Sequence, residues 1–269
     1  MKIKAHPKTI LKKGNARPSA AILACMHGDE IIGMKVCKEL IRCDLMSGSL
    51  TGFLAHPSAH AHKKREFSYD LNRIFPVKGK TREHQLARNI FRALREFDLV
   101  IDIHGTNSRI DSLAIVTKWN ARTKRLLAEF PVKKVMYVPA HIYAKGALIS
   151  HVPLGISIEY GPNKLGHQYR KALAHVEQLL INRGMLRGTK QLFPRKTLYT
   201  VIGKYDVPEP FRQNPHLRDF ERIERGAHIG SHQGIKLYAT RSFYPIFLGK
   251  GRYKGALALM TEKRQARVA

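Results

Sequence analysis

Four polar residues stand at or just beyond the ends of apolar runs in this chain: His27, Glu30, His104 and Glu159. His27-Gly-Asp-Glu30 is an H-x-x-E pair, short enough for one turn to aim an imidazole and a carboxylate at a single ion. His104 arrives from a separate run, Asp98-Leu-Val-Ile-Asp-Ile103. Two His nitrogens and one carboxylate oxygen form a common catalytic zinc set, with the fourth position open to water. Such an ion acts as a Lewis acid and lowers the pKa of a bound water toward ~7. Alone, H-x-x-E is weak evidence. The chain has 14 histidines, so chance pairs are easy, and a histidine at a strand end more often bonds a turn than a metal.

The elements around these residues decide whether they can meet. Ser19 to Met26 is a short continuous apolar run, followed by a Gly-containing turn and then Ile31, Ile32, Met34, Val36, Leu40 and Ile41 at roughly helical spacing. Ser49 to Ala55 reads as a second strand, and Thr81 to Phe97 as a helix with Leu86, Ile90, Phe91, Leu94 and Phe97 on its apolar face. Asp98 to Ile103, Leu113 to Thr117, Val135 to Val138 and Gly155 to Tyr160 read as further strands. Helices are expected near Ala121 to Phe130 and from about Gly166 to Asn182. Strands alternating with helices predict a largely parallel sheet with helices on both faces. Ligands of such sheets bind beyond the carboxyl ends of the strands, where His27, Glu30, His104 and Glu159 would converge. After Arg183-Gly184 the helical periodicity fades and Pro208, Pro210 and Pro215 punctuate short strand-like runs. The expected organisation is a catalytic domain over 1–187 and a smaller β-rich domain over 188–269 that covers the site.

Composition bounds the rest. With 269 residues and 43% hydrophobic content the chain can bury a sizeable core. Its formal charge is +28, spread along the sequence rather than gathered in a tail. That field favours anionic partners. No zinc-knuckle, RNA-binding-sheet or helix-turn-helix signature supports a nucleic-acid face, so nucleic acid is not the expected partner. Cys25, Cys37 and Cys43 are odd in number and lack a CxxC pair, which argues against a disulfide framework and for a reducing cytoplasm. No apolar run is long enough to span a bilayer, so no membrane association is expected.

Four segments fall in order: His27-Gly-Asp-Glu30, Asp70-Leu-Asn-Arg-Ile-Phe75, Asp102-Ile-His-Gly-Thr106 and Ile158-Glu-Tyr-Gly-Pro162. Tyr244-Pro-Ile-Phe247 followed by Tyr253 adds a fifth. In these the chain resembles the aspartoacylase and succinylglutamate desuccinylase family, a branch of the zinc carboxypeptidase-like fold, and is most similar to aspartoacylase. The resemblance implies a mixed, mostly parallel sheet flanked by helices and one Zn2+ per chain held by His27, Glu30 and His104. It implies that Glu159 is the general base, passing a proton from water to the leaving amine, and that Arg65 polarises the scissile carbonyl. Asn72 and Arg73 would grip a substrate carboxylate, and Tyr253 would reach over the site from the C-terminal domain. Asp102 is placed to orient a ligand.

The sequence also departs from that family. His56-Pro57 stands where aspartoacylase has Asn-Pro, and Asp29 replaces Asn between the ligands. Ala144 to Pro153 carries Lys145 and His151 but no Arg, although an Arg there helps bind substrate in aspartoacylase. The expected activity is therefore zinc-dependent hydrolysis of a small anionic N-acyl amino acid, with N-acetyl-L-aspartate as the default. Desuccinylase-like and peptide carboxypeptidase activities are the enzymatic alternatives. A basic nucleic-acid binder on the same scaffold is the non-enzymatic one. Whether the chain forms a homo-oligomer is left open.

Overall fold

The computed structural model describes residues 4–75, 78–139, 144–162, 167–249 and 255–268. In chain order the elements are β1 (Lys8–Gly14), β2 (Ser19–Ala24), α1 (Ile32–Leu40), β3 (Ser49–Leu54), α2 (Pro57–Ala61), α3 (Arg82–Leu94), β4 (Leu99–Gly105), β5 (Asp111–Val116), α4 (Ala121–Glu129), β6 (Lys134–Tyr137), β7 (Gly155–Gly161) and α5 (Gln168–Asn182). Strands β8 (Arg195–Asp206), β9 (Phe211–Gln213), β10 (His228–His232), β11 (Ile235–Tyr238), β12 (Tyr244–Ile246) and β13 (Ala256–Arg267) complete the chain.

Ten strands form one sheet in the order β1-β3-β2-β4-β7-β5-β6-β8-β13-β12, and β11-β10-β9 form a small antiparallel sheet. The neighbours β3, β2, β4 and β7 are parallel, while β5 runs antiparallel to β7. Both faces of the central strands are covered, which is why β2 and β4 read as unbroken apolar runs rather than alternating ones. On one face Val36 and Leu40 of α1, Leu126 of α4 and Val176 and Leu179 of α5 pack with Ile22, Ile101 and Ile103. On the other, Leu86, Ile90 and Leu94 of α3 pack with Leu23 and Val100. Each such fully buried side chain stabilises the fold by about 1.5–3 kcal/mol.

Two elements escaped the sequence reading. Strand β1 is lysine-rich and largely exposed, a charged edge paired with β3, so it carries little apolar signal. Helix α2 is only five residues long, opened by Pro57 and capped by His56, whose side chain accepts from the Ala59 amide. No helix follows α5 among the described residues, and β8, β13 and β12 extend the main sheet through the parallel β6–β8 pairing. No helix is long and apolar enough to cross a membrane among the described residues.

Candidate active site

Parallel pairing of β2, β4 and β7 brings their carboxyl ends to one edge. His27 and Glu30 follow β2 in a tight turn in which the Glu30 amide donates to the His27 carbonyl at 3.1 Å. Gly28 within it is held so close to α2 that a Cβ would lie 2.2 Å from the Ala59 carbonyl carbon. His104 lies near the end of β4, and its register partner on β7 is Glu159.

The three expected ligands form one buried cluster, their ligating atoms all within 4.8 Å of one another. His27 Nδ1 lies 2.8 Å from Glu30 Oε1, and His104 Nδ1 lies 2.9 Å from Glu30 Oε2. The outer nitrogens face carboxylates: His27 Nε2 is 3.1 Å from Asp70 Oδ1, and His104 Nε2 is 2.8 Å from Asp102 Oδ2. Ser157 Oγ donates to the same Asp102 oxygen. A carboxylate on each Nε2 keeps a proton there and leaves Nδ1 free to ligate, the usual support of a metal-binding histidine. The donor set therefore fits a divalent cation.

Electrostatics agree with that fit. Burial alone would raise the Glu30 pKa, but His27 and His104 together hold it well below the ordinary carboxylate range. Burial alone would lower both histidines. Glu30 with Asp70 at His27, and Asp102 with Glu30 at His104, outweigh it and push both up, His104 strongly. A cation entering the cluster takes the place of those protons and releases them.

Arg65 lies over this cluster. Its Nη1 donates to Glu30 Oε1 at 2.9 Å, and its Nη2 reaches Asp70 Oδ2 at 3.5 Å. The same Nη2 is 2.8 Å from His27 Nε2, and the carboxylates of Glu30 and Asp70 are the charged partners of the guanidinium. Asp70 also caps the short 3-10 turn Leu71–Arg73 by accepting from the Asn72 amide. Asn72 is buried, with Oδ1 accepting from the Leu148 amide at 3.0 Å. Gly146 packs onto the Arg73 backbone, and the Phe75 amide donates to the Gly146 carbonyl. The Asp70-to-Phe75 loop is thus stitched to the stretch that lacks the expected Arg.

His27, Arg65, Asn72, Arg73, His104 and Glu159 all line one cleft of about 760 Å3, its open mouth included. Glu159 is 7% exposed, so it is enclosed yet faces this space. The facing wall is apolar: Ile115, Met136, Val138, Ile149, Phe247 and Leu259. Two of these, Phe247 and Leu259, come from the C-terminal third. Tyr253 lies outside the described residues. The apolar wall is not legible in the sequence. Its residues come from five separate places in the chain, and each looks like ordinary core. Asp70, in a polar loop by sequence, is turned onto His27 by the structure.

A family model of the succinylglutamate desuccinylase/aspartoacylase catalytic domain matches residues 16–183. The chain belongs to this family. The solved structure of murine aminoacylase 3 superposes with a TM-score of 0.77 at 22% identity, covering 95% of this chain and 98% of the other. A succinylglutamate desuccinylase/aspartoacylase from Rhodobacter sphaeroides gives a TM-score of 0.75 at 17% identity, covering 94% and 88%. The product-bound ectoine utilization protein from Ruegeria pomeroyi gives 0.69 at 19% identity, covering 93% and 87%. These likenesses show the fold. No curated protein matches the sequence. The model match spans β2 to α5, and with them every residue of the His27–Glu30–His104 cluster and Glu159. Membership in the family makes an amidohydrolase role the chemistry to expect of this cleft.

Proposed function

We propose that the chain hydrolyses the amide bond of N-acyl amino acids, releasing a carboxylate and a free amino acid, with Zn2+ as its metal. The observation that carries this reading is the placement of Glu159 beside His104, in the same cleft as the buried His27–Glu30–His104 set. His27, Glu30 and His104 would hold the ion, which supplies Lewis acidity and acidifies water. Glu159 takes a proton from the attacking water and returns it to the leaving nitrogen. Arg65 offers a fixed positive charge to the oxygen that gains negative charge as the carbonyl is attacked. Arg73, with Asn72 behind it, meets the substrate carboxylate through a guanidinium fork.

N-acetyl-L-aspartate is the default substrate by family. A second reading of specificity rests on the apolar wall. A second carboxylate placed against Ile115, Met136, Val138 and Phe247 would lose its hydration with no cation among those side chains and only the neutral Thr117 hydroxyl beside Ile115 to meet it. That wall favours an N-acyl amino acid with an uncharged, apolar side chain or acyl group. The deciding experiment is a panel of N-acetyl and N-succinyl amino acids, acidic and apolar, offered to zinc-loaded protein. Turnover of an N-acyl amino acid that disappears with chelator and returns with zinc supports the activity. No turnover across the panel, by protein shown to contain zinc, overturns it. The ranking of acidic against apolar substrates decides the specificity.

A further inference from the structure

Helix α3 opens with a carboxylate that has no place in the chemistry above. Glu83 is 1% exposed, and its Oε1 accepts from three consecutive backbone amides: Phe67 at 3.3 Å, Ser68 at 3.0 Å and Tyr69 at 3.3 Å. Three N–H groups converging on one anionic oxygen form a nest, and hydrogen bonds to a charged acceptor are about twice as strong as neutral ones. The carboxylate sits in the first turn of its helix, where the macrodipole also favours negative charge.

His56 completes the arrangement. It is fully buried, and its Nδ1 accepts from the Ala59 amide, so its proton is on Nε2, which faces Glu83 Oε1 at 3.9 Å. Burial, partly opposed by Glu83, pushes its pKa below the ordinary histidine value, so the ring is neutral and offers one N–H towards the carboxylate.

The three amides belong to the segment that runs from Arg65 to Arg73, and with it Asp70 and Asn72. Ser68 and Tyr69 are exposed. Their side chains therefore contribute little packing, and the nest is the tie that the structure shows on their amides. What the nest sets is where the segment lies. Its far end is rigid, because Leu86, Ala87, Ile90 and Leu94 fix α3 in the core.

We propose that Glu83, backed by His56, is a positioning residue for substrate: it holds the Phe67–Tyr69 amides so that Arg65 on one side and Asn72 and Arg73 on the other face the cleft. The kinetic part rests on the deacylase reading, whereas the anchoring part does not.

The test uses the full-length zinc-loaded protein with Glu83→Gln and Glu83→Ala. Backbone amide exchange at Phe67, Ser68 and Tyr69 reads the anchor without any substrate. It should accelerate strongly in Glu83→Ala and less in Glu83→Gln, whose amide oxygen still accepts, while the α3 core amides stay protected. Kinetics use N-acetyl-L-aspartate, N-acetyl-L-leucine and the carboxamide of the latter. A displacement near 1 Å costs about a hundredfold, so kcat/KM for the free carboxylates should fall by roughly that in Glu83→Ala. With the weaker neutral acceptor, the fall in Glu83→Gln should be roughly tenfold. The carboxamide, which still uses Arg65 but makes no carboxylate contact, should lose less, so the carboxylate-to-carboxamide ratio falls. Rates are taken per bound zinc, because Asp70, which faces His27, lies on the same segment. A purely structural role would instead lower the melting temperature and the active fraction alike, leaving KM and the carboxylate-to-carboxamide ratio at wild-type values. That result, or unchanged exchange at residues 67–69 in folded Glu83→Ala, overturns the proposal. If the wild type turns over none of these substrates, the failure belongs to the deacylase reading, and the exchange measurement still decides the anchor.

Discussion

His104 on β4 and Glu159 on β7 are register partners in the parallel ladder, so they point to the same side of the sheet on neighbouring strands. Side chains of paired strand residues lie about 5 Å apart, within the reach of a water molecule shared between them. In the proposed reaction His104 would help hold the ion that acidifies a water, and Glu159 would lie within reach of that water's proton. Replacing Glu159 by Gln keeps the shape and removes the base. Turnover should fall by about 10²–10⁴-fold, while zinc content by metal analysis stays near the wild-type value. Normal turnover by the variant would exclude Glu159 as the base.

The 2.8 Å contact between Asp102 and His104 Nε2 leads to a prediction about metal affinity. Asp102→Asn replaces the anionic acceptor that keeps the proton on Nε2 by a neutral amide, which accepts more weakly and can turn its NH2 to the ring instead. Zinc affinity, measured by competition with a chromophoric chelator, should weaken by about 10–100-fold. The fold should persist, because Asn fills nearly the same space.

Metal removal should be visible as lost stability. A ligand present at a hundred times its Kd stabilises the state that binds it by about 2.7 kcal/mol. Chelated protein should melt at a lower temperature than zinc-loaded protein and recover on adding Zn2+. Equal melting temperatures would show that the His27–Glu30–His104 cluster holds no ion.

Arg73 lines the cleft beside Asn72, on the loop that Gly146 and Leu148 pin in place. Arg73→Lys keeps the charge and loses the fork. KM for substrates with a free carboxylate should rise by roughly tenfold with kcat little changed, the pattern of a lost binding contact. An unchanged KM would place the substrate carboxylate elsewhere.

The pH dependence of stability should carry a contribution from His175. Burial first, and then Lys171, push its pKa down from 6.5 to about 4, and its Nδ1 lies 3.0 Å from the Tyr160 hydroxyl. The group is neutral when folded and takes up a proton more readily when unfolded. Its stabilising contribution is therefore present above pH 6.5 and is lost as pH falls toward 4. In urea titrations, His175→Gln should show a shallower loss of stability across that window than wild type. Parallel curves would remove His175 from the acid limb.

Much of this protein was legible in its sequence because its central strands are covered on both faces. Burial on both sides turns β2, β4 and β7 into apolar runs, so the polar residues at their ends stand out. The H-x-x-E spacing limited His27 and Glu30 to one turn, and the helical period located α3 and α5 to within a few residues. Elements without apolar contrast, the charged edge β1 and the five-residue α2, left no such trace. Only tertiary structure decided what those residues face. Alternation puts His104 and Glu159 on some side of their strands, but the register of β4 against β7 makes them neighbours. Nothing in the sequence says what Asp70 and Glu83 face, and the packing of α3 and the Arg65-to-Arg73 segment turns one onto His27 and buries the other under three amides. The wall from Ile115 to Leu259 exists only because strands distant in sequence share one sheet. Sequence spacing sets contacts within a turn, whereas contacts between strands depend on register and packing, which the whole core decides together.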